Sequence, residues 1–440
     1  MAPEFALAAT GFAVLLGLIA LRAPIALAML LVGAGGYVHI LDANALANYL
    51  KTTPYHLFAN YTLSVIPLFI LMGALAERGG LARDLFAAAN ALLGRRPGGL
   101  AMSVVGASAA FGAVCGSSVA TTATFGRAAL PELRRYGYAP GFATGAIAAG
   151  GTLGILIPPS VILVVYAIST EQNIAKLFMA ALIPGLIATL FYLLAIRLWM
   201  TLRPELGPPA PPPAPDERRA ALLRVLPVMA IALLVVGGIY GGVFTPTESA
   251  AVGCVLVLAL GLARRSLPWR EVKAALLGTA ETSAMIFAIL LGAEVFNAFL
   301  ALSQAPDLLA VWVSEQDFPP YGVLIALLLT YVILGAVMDE LAMILLTLPV
   351  FFPVVTALDF GMTTEETAIW FGVLVLVVVG IGLMAPPIGL NVFVISAIAR
   401  DVPIARTYAG VLPFLATDLL RLALCVAFPA LSLWLVRLLT

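Results

Sequence analysis

The chain alternates long apolar runs with short polar connections. The runs extend over Phe5 to Leu21, Pro24 to Ile40, Leu57 to Ala76, Gly99 to Leu133, Gly141 to Ser169, Leu177 to Met200, Val225 to Phe244, Ser249 to Ala263, Ala274 to Leu302, Tyr321 to Thr356, Ala368 to Ala399 and Tyr408 to Arg437. A membrane-crossing helix needs about 20 mostly apolar residues, and these runs do not alternate as barrel strands would. The pattern therefore predicts an all-α polytopic membrane protein, since only helices and closed barrels satisfy the backbone inside lipid. The first run lacks a preceding basic region and is followed at once by the second, so it reads as a retained helix.

Arginine and lysine cluster in some connections: Arg95 and Arg96; Arg134 and Arg135; Arg203, Arg218, Arg219 and Arg224; Arg264, Arg265, Arg270 and Lys273; Arg400 and Arg406. The positive-inside rule makes these cytoplasmic. The basic-poor connections, around Asp42 to Lys51, Glu171 to Lys176, Thr245 to Glu248, Asp307 to Asp317 and Asp359 to Glu366, then face the other side. Two runs break the alternation. Gly99 to Leu133 has a basic pair at both ends, so it reads as a helical hairpin from the cytoplasmic side, with Gly112 to Thr122 (GAVCGSSVATT) as its non-helical tip. Tyr321 to Thr356 is flanked by Glu315, Asp317 and Asp359 and reads as a second hairpin from the opposite side, with Gly335 to Leu341 (GAVMDEL) at its tip. Irregular backbone at membrane depth must be buried in protein or line a watery cavity, which marks both tips as functional candidates. Ten crossings and two hairpins place both termini outside the cytoplasm; Arg437 near the C-terminus runs against this.

Composition narrows the class. Of 440 residues, 62% are hydrophobic and 10% charged, which no ordinary soluble domain shows. The 23 basic and 23 acidic side chains balance, leaving no footprint for nucleic acid. Cys115, Cys254 and Cys425 lie in apolar runs without metal-site spacing and read as packing residues. Without HExxH, GxSxG or a Walker A sequence, the chain offers no metalloprotease, serine-hydrolase or ATP-driven chemistry.

Leu202 to Arg219 is a Pro-rich polar run that reads as a stiff cytoplasmic linker between two halves, residues 1–201 and 220–440. Each half has five crossings and one hairpin. LFILMGAL at Leu68 is answered by FAILLGAE at Phe287, GAV at Gly112 by GAV at Gly335, and GILIPPS at Gly154 by GLMAPPI at Gly382, in the same order along both halves. Corresponding elements run in opposite directions, so this is an inverted-topology repeat, a pattern of secondary transporters whose site lies where discontinuous helices meet. The crossings after each hairpin (141–169 and 368–399) carry the interruption. Pro158 with Pro159, and Pro386 with Pro387, remove backbone donors and free carbonyls, which suit a small monovalent cation. One such pair alone could equally be a kink; two at matching places favour a site.

GSSVATTATFGRAALPELRRYGY from Gly116, GGTLGILIPPSVILVVYA from Gly150, GGVFTPTESAAVG from Gly241, MDELAMILLTLPVFFPVV from Met338 and APPIGLNVF from Ala385 resemble the DctM-like large permease subunit of the TRAP (tripartite ATP-independent periplasmic) transporters, along essentially the whole chain. The resemblance implies a sodium-driven elevator importing an organic acid such as a C4-dicarboxylate or sialic acid. It also implies a bacterial inner-membrane location, a small four-helix membrane subunit and a periplasmic binding protein that delivers substrate. A stand-alone sodium-coupled carboxylate carrier of related fold is the alternative, and a channel the third reading.

Carried over onto this chain, the resemblance places Gly116, Ser117, Ser118 and Thr121 at the first tip and Gly151, Thr152, Gly154, Pro158, Pro159 and Ser160 at the first broken helix, with one sodium site and one side of the substrate site between them. Met338, Asp339, Glu340 and Ala342 at the second tip, with Gly380, Met384, Pro386, Pro387, Gly389 and Asn391 at the second broken helix, form the related set. Asp339 fits the family's acidic position; the adjoining Glu340 departs from it, leaving open which carboxylate faces the site. Asp339 could also simply cap a half-helix, and Ser117 and Ser118 could serve only close packing. Among other polar residues, Asp418 and Arg421 read as neutralising each other on one helix face. Glu281 reads as pairing in the cytoplasmic basic cluster, Glu294 is a weaker ion-path candidate, His39 and His56 fall at membrane ends, and Thr247 reads as a helix cap in the TPTE run.

Overall fold

Described over residues 3–211, 214–316 and 318–439 in a computed structural model, the chain is helical throughout, with no strand among the described residues. The first half comprises α1 (Pro3–Ala20), α2 (Ile25–Ile40), α3 (Ala43–Phe58), α4 (Val65–Arg78), α5 (Leu81–Leu93), α6 (Gly99–Cys115), α7 (Ser118–Arg135), α8 (Pro140–Leu156), α9 (Val161–Ser169) and α10 (Ile174–Leu202). The second comprises α11 (Pro215–Tyr240), α12 (Pro246–Ala263), α13 (Trp269–Leu302), α14 (Ala305–Glu315), α15 (Pro320–Gly335), α16 (Glu340–Ala357), α17 (Thr364–Gly382), α18 (Leu390–Ile398), α19 (Ile404–Ala427) and α20 (Ala430–Leu439). The predicted hairpins are α6 with α7 and α15 with α16, and the predicted interruptions separate α8 from α9 and α17 from α18. Among the described residues, eight helices are long and apolar enough to cross a membrane, nine with the α8–α9 pair, bent by 43°, counted as one; the apolar stretch Phe5–Ala20 of α1 and Ile25–Ile40 of α2 are shorter.

Four local features differ from expectation. The helices α3, α5 and α14 lie in stretches too polar or too short to register as apolar runs. The last run is two helices, because the chain leaves α19 at Phe428, just before Pro429. Thr245, not Thr247, caps α12: its hydroxyl accepts the Glu248 N–H while the Glu248 carboxylate returns to the Thr245 N–H, a reciprocal capping box. The linker is shorter than 202–219 and is bound rather than free. Pro215 begins α11, where its missing N–H and fixed φ suit a first helical position. Upstream, Gly98 N–H donates to Gly207 O at 2.8 Å, Ala139 N–H to Leu206 O at 2.9 Å, and Ala210 N–H to Gly94 O at 3.1 Å. Ala210 is buried, and burial pushes the neighbouring loop residue Tyr138 up to about 12. Pro212, Pro213 and Asp317, which the sequence reading assigned to connections, lie outside the described residues.

Surface ion pairs join connections that the charge pattern assigns to one face. Arg134 meets Asp401 and Arg78 meets Glu271 on the basic face. On the other, Lys176 meets Glu365, and Arg437 reaches Glu366 at 2.8 Å. Arg437 thus shares a face with an acidic connection, as a basic residue on the face that the charge pattern assigns to the outside. Exposed Glu281 enters no ion pair among the described residues, so its expected basic partner is absent. The helices pack through glycine contacts too close for any Cβ: one on Gly145 would strike the backbone of Gly410, locking α8 against α19.

Candidate functional site

Each hairpin turns because a short non-helical link closes one helix and caps the next. At the first tip, Gly116 adopts φ +64°, and a Cβ there would stand 2.8 Å from Pro159 O, so only glycine fits this turn and this approach. Ser117 then caps α7, its hydroxyl accepting the Ala120 N–H. At the second tip Asp339 caps α16, one carboxylate oxygen accepting from Leu341 N–H at 3.0 Å and Ala342 N–H at 3.3 Å. Asp339 therefore holds a half-helix N-terminus; this capping role, one of its two sequence readings, is the one its hydrogen bonds fill.

The first tip seats on the first broken helix as expected. A Cβ on Gly112 would meet Leu153 O at 2.8 Å, and one on Gly154 would meet Ser117 O at 2.7 Å and collide with the Thr121 hydroxyl. Thr121 itself donates to Ser117 O at 2.7 Å. Pro158 and Pro159 are buried, and having no N–H they return no bond to the carbonyls of Gly154 and Ile155. Oxygen atoms of the tip and freed carbonyls of the helix thus converge. Ser160 is buried and caps α9.

The second break differs. Gly335 lies against Gly382, with a Cβ on Gly382 2.8 Å from Gly335 Cα, and Gly389 turns the chain at φ +56°. Here the freed carbonyls are re-used: Gly382 O accepts the Ala385 N–H at 3.2 Å and Leu383 O the Asn391 N–H at 3.0 Å. Pro386 and Pro387 are exposed, and Met384 is buried in the core. The symmetry of the sequence does not extend to equal availability of carbonyl oxygen.

Asn391 does not stay with the second tip. Its amide N–H donates to the Ser118 hydroxyl at 2.7 Å and to Ala148 O at 3.2 Å, and its carbonyl accepts from Ser118 at 3.0 Å, so α18 is tied to α7 and α8. Thr152 likewise turns away from the first tip. Its hydroxyl bonds Ala149 O at 2.8 Å and the Tyr192 hydroxyl at 3.1 Å; Tyr192 donates to Asp418 at 2.6 Å, and Asp418 meets Arg421 at 3.0 Å, all buried. The Asp418–Arg421 pair is as the spacing predicts, but joined to a chain reaching the first broken helix. Gly380 faces this chain, its nearest neighbour being the Thr152 Cβ. Thr122 closed the predicted tip without being singled out: its buried hydroxyl has no partner among the described residues and would collide with a Cβ on Gly151, beside Asn391. Its sequence signal is its place at the end of the GAVCGSSVATT stretch.

Both tips open onto one cavity of about 490 Å³. Cys115, Gly116, Ser117, Val119 and Ala120 line it from the first tip, and Asp339, Glu340 and Leu341 from the second. Its opposite wall is α4, from Ile70 to Arg78, and α13, from Ala274 to Ile286. Glu340 lines it with one carboxylate oxygen enclosed and unpartnered, and Thr279 of α13 with an unpartnered, buried hydroxyl. At its rim, Glu77 of α4 pairs with Arg127 of α7 across the two walls.

Two helical hairpins meeting two interrupted helices, with both tips on one cavity inside an apolar helical body, is the architecture of a secondary transporter. The family model for the tripartite ATP-independent periplasmic transporter, DctM component, matches residues 12–431. The chain is 37% identical over 85% of its length, and 86% of the relative's, to the C4-dicarboxylate TRAP transporter large permease protein DctM of Pseudomonas aeruginosa. It is 31% identical over 85% of its length to the sialic acid TRAP transporter large permease protein SiaM of Vibrio cholerae, and 31% over 85% to the ectoine TRAP transporter large permease protein TeaC of Halomonas elongata, covering 86% of each. In fold it is similar to the YdaH transporter of Alcanivorax borkumensis, with a TM-score of 0.60 at 19% identity over 89% of this chain and 90% of that one. The chain belongs to the DctM component family of the tripartite ATP-independent periplasmic transporters, as a multi-pass membrane permease.

Proposed function

We propose that this chain is the transport subunit of a three-part system that imports an organic acid across the bacterial inner membrane by sodium symport, working as an elevator. The observation that carries this reading is the shared cavity between the hairpin tips and the wall formed by α4 and α13. Such a seam is where a bundle carrying substrate slides along a fixed scaffold. The relatives act on C4-dicarboxylates, sialic acid and ectoine, all carboxylates, which supports an organic acid here.

The sodium ion binds where the first tip meets the first break, at Ser117 O, the Thr121 hydroxyl and the freed carbonyls of Gly154 and Ile155. Hard oxygen ligands without fixed charge suit a monovalent cation. The α7 N-terminus, capped only by a neutral hydroxyl, presents its positive end to a substrate carboxylate. The two halves are inverted repeats, supported by the equivalent contacts of Gly112 with Gly154 and of Gly335 with Gly382. The basic face is cytoplasmic by the positive-inside rule. Both termini are then periplasmic, and the cavity, lined by the Arg78 end of α4, opens inward. The partners are a small four-helix membrane subunit and a periplasmic binding protein.

Uptake into proteoliposomes holding this chain and its small subunit tests the reading, with labelled organic acids, the cognate binding protein and an inward sodium gradient. Accumulation requiring both binding protein and gradient is expected. Sodium-driven accumulation without the binding protein makes the chain a stand-alone carrier; downhill flux without saturation makes it a channel.

A further inference from the structure

The two tips look alike in sequence order but not in charge. Each brings the N-terminus of an 18-residue helix to the cavity, and each such end carries about half a unit of positive charge. At α7 that charge is left open, because Ser117 caps it with a neutral hydroxyl. At α16 it is already occupied: Asp339 takes the Leu341 and Ala342 N–H groups, and Glu340 adds a second carboxylate on the same wall. With Glu340 ionised, that end keeps about half a unit of negative charge even if one sodium ion sits beside Asp339. A second substrate carboxylate would find two of the N–H groups at that end already taken.

The cations of the cavity offer no alternative. Arg78, which lines it, is held by Glu271 at 2.8 Å, and Arg127 at the rim by Glu77. Glu340 forms no ion pair among the described residues, and its enclosed oxygen has no donor. A carboxyl so placed either takes up a proton or needs a cationic partner to stay ionised. A second group calls for a polar ligand: the Thr279 hydroxyl, 7% exposed, lines the cavity without a partner among the described residues.

We infer that the substrate is a zwitterion, with a carboxylate that docks at the α7 N-terminus and a cationic nitrogen, ammonium or amidinium, that docks at Glu340. This rests on the organic-acid reading above and narrows it. A simple dicarboxylate matches one end of the cavity and is repelled by the other. Glu340 acts as a specificity determinant, whereas one oxygen of the Asp339 cap is already held by the α16 backbone.

The test is a thermal-shift titration of the purified complex of this chain with its small subunit, in saturating sodium chloride. The probes are ectoine, glycine betaine and γ-aminobutyrate on one side, and succinate and malate on the other. At least one zwitterion is expected to raise Tm saturably, with neither dicarboxylate doing so at equal concentration. Glu340→Gln is expected to weaken the zwitterion by tenfold or more while leaving the ligand-free Tm near that of the parent, and Glu340→Asp to recover part of the loss. Stabilisation by a dicarboxylate and by no zwitterion overturns the inference and leaves the organic-acid reading standing. Unchanged zwitterion affinity in Glu340→Gln overturns the role of Glu340. No shift with any probe counts against the organic-acid reading itself, and the inference falls with it.

Discussion

Ser118 and Asn391 exchange two hydrogen bonds, of 2.7 and 3.0 Å, across 273 positions of chain. The contact ties the first hairpin to the second broken helix, so the site is assembled from both halves rather than within each. Ser118→Ala leaves the buried Asn391 amide short of partners and is expected to cost about 1–3 kcal/mol of stability. Joint replacement, Ser118→Ala with Asn391→Leu, removes donor and acceptor together and should recover part of that. Thermal unfolding of the purified complex measures both, and a single variant as stable as the parent removes this tie from the account.

Asp339 can be tested for charge apart from capping. Asn caps a helix about as well as Asp, so Asp339→Asn should change stability by only a few tenths of a kcal/mol. If the carboxylate also serves the coupling ion, the sodium concentration for half-maximal uptake should rise about tenfold, the factor that about 1.4 kcal/mol of lost binding produces. Uptake with unaltered sodium dependence assigns Asp339 to capping alone.

The seat of the second hairpin depends on Gly382. A methyl group there would come 2.7 Å from the Gly335 carbonyl carbon, and backbone cannot rotate aside. Gly382→Ala should cost about 1–3 kcal/mol by overpacking. Gly106→Ala, which meets nothing within 4 Å, should be neutral or slightly stabilising within its helix. Equal melting temperatures for the two variants would contradict the packing described.

The buried Asp418–Arg421 pair predicts an asymmetric response. Arg421→Met alone strands a carboxylate in the core and should cost about 3–5 kcal/mol. Adding Asp418→Leu should restore most of the loss, because two apolar side chains need no compensation. A double variant no better than the single one would show that Tyr192 and Thr152 require the carboxylate.

Sidedness is open to chemical labelling. In a background with Cys115, Cys254 and Cys425 replaced, Arg95→Cys should react with an impermeant maleimide only from the cytoplasmic side and Glu315→Cys only from the periplasmic side. Reaction of both from one side would falsify the topology.

Much of this was legible in the residues because the tips and breaks are made of residues that advertise themselves. Gly116, Gly389 and the two Pro–Pro pairs stand out against apolar surroundings for the same physical reason that they end helices. The basic pairs flanking α6 and α7 revealed a return to the same face. What stayed hidden depends on helix rotation, which an all-apolar helix does not encode. Thr152 reads as a neighbour of Gly151 and Gly154, yet α8 turns it to Tyr192; Thr122 and Thr279 gain meaning only beside Gly151 and the cavity. The helices α3 and α5 escaped because a helix lying on a surface needs no continuous apolar run.

The bonds that tie Gly94, Gly98 and Ala139 to the segment after α10 have a consequence for biosynthesis. Every partner in them precedes residue 211, so all leave the ribosome while most of the second half is still to be made. The first half can therefore finish one of its aqueous surfaces while the second is still being translated. Asn391 then arrives last, closing onto a hairpin whose base has already been tied.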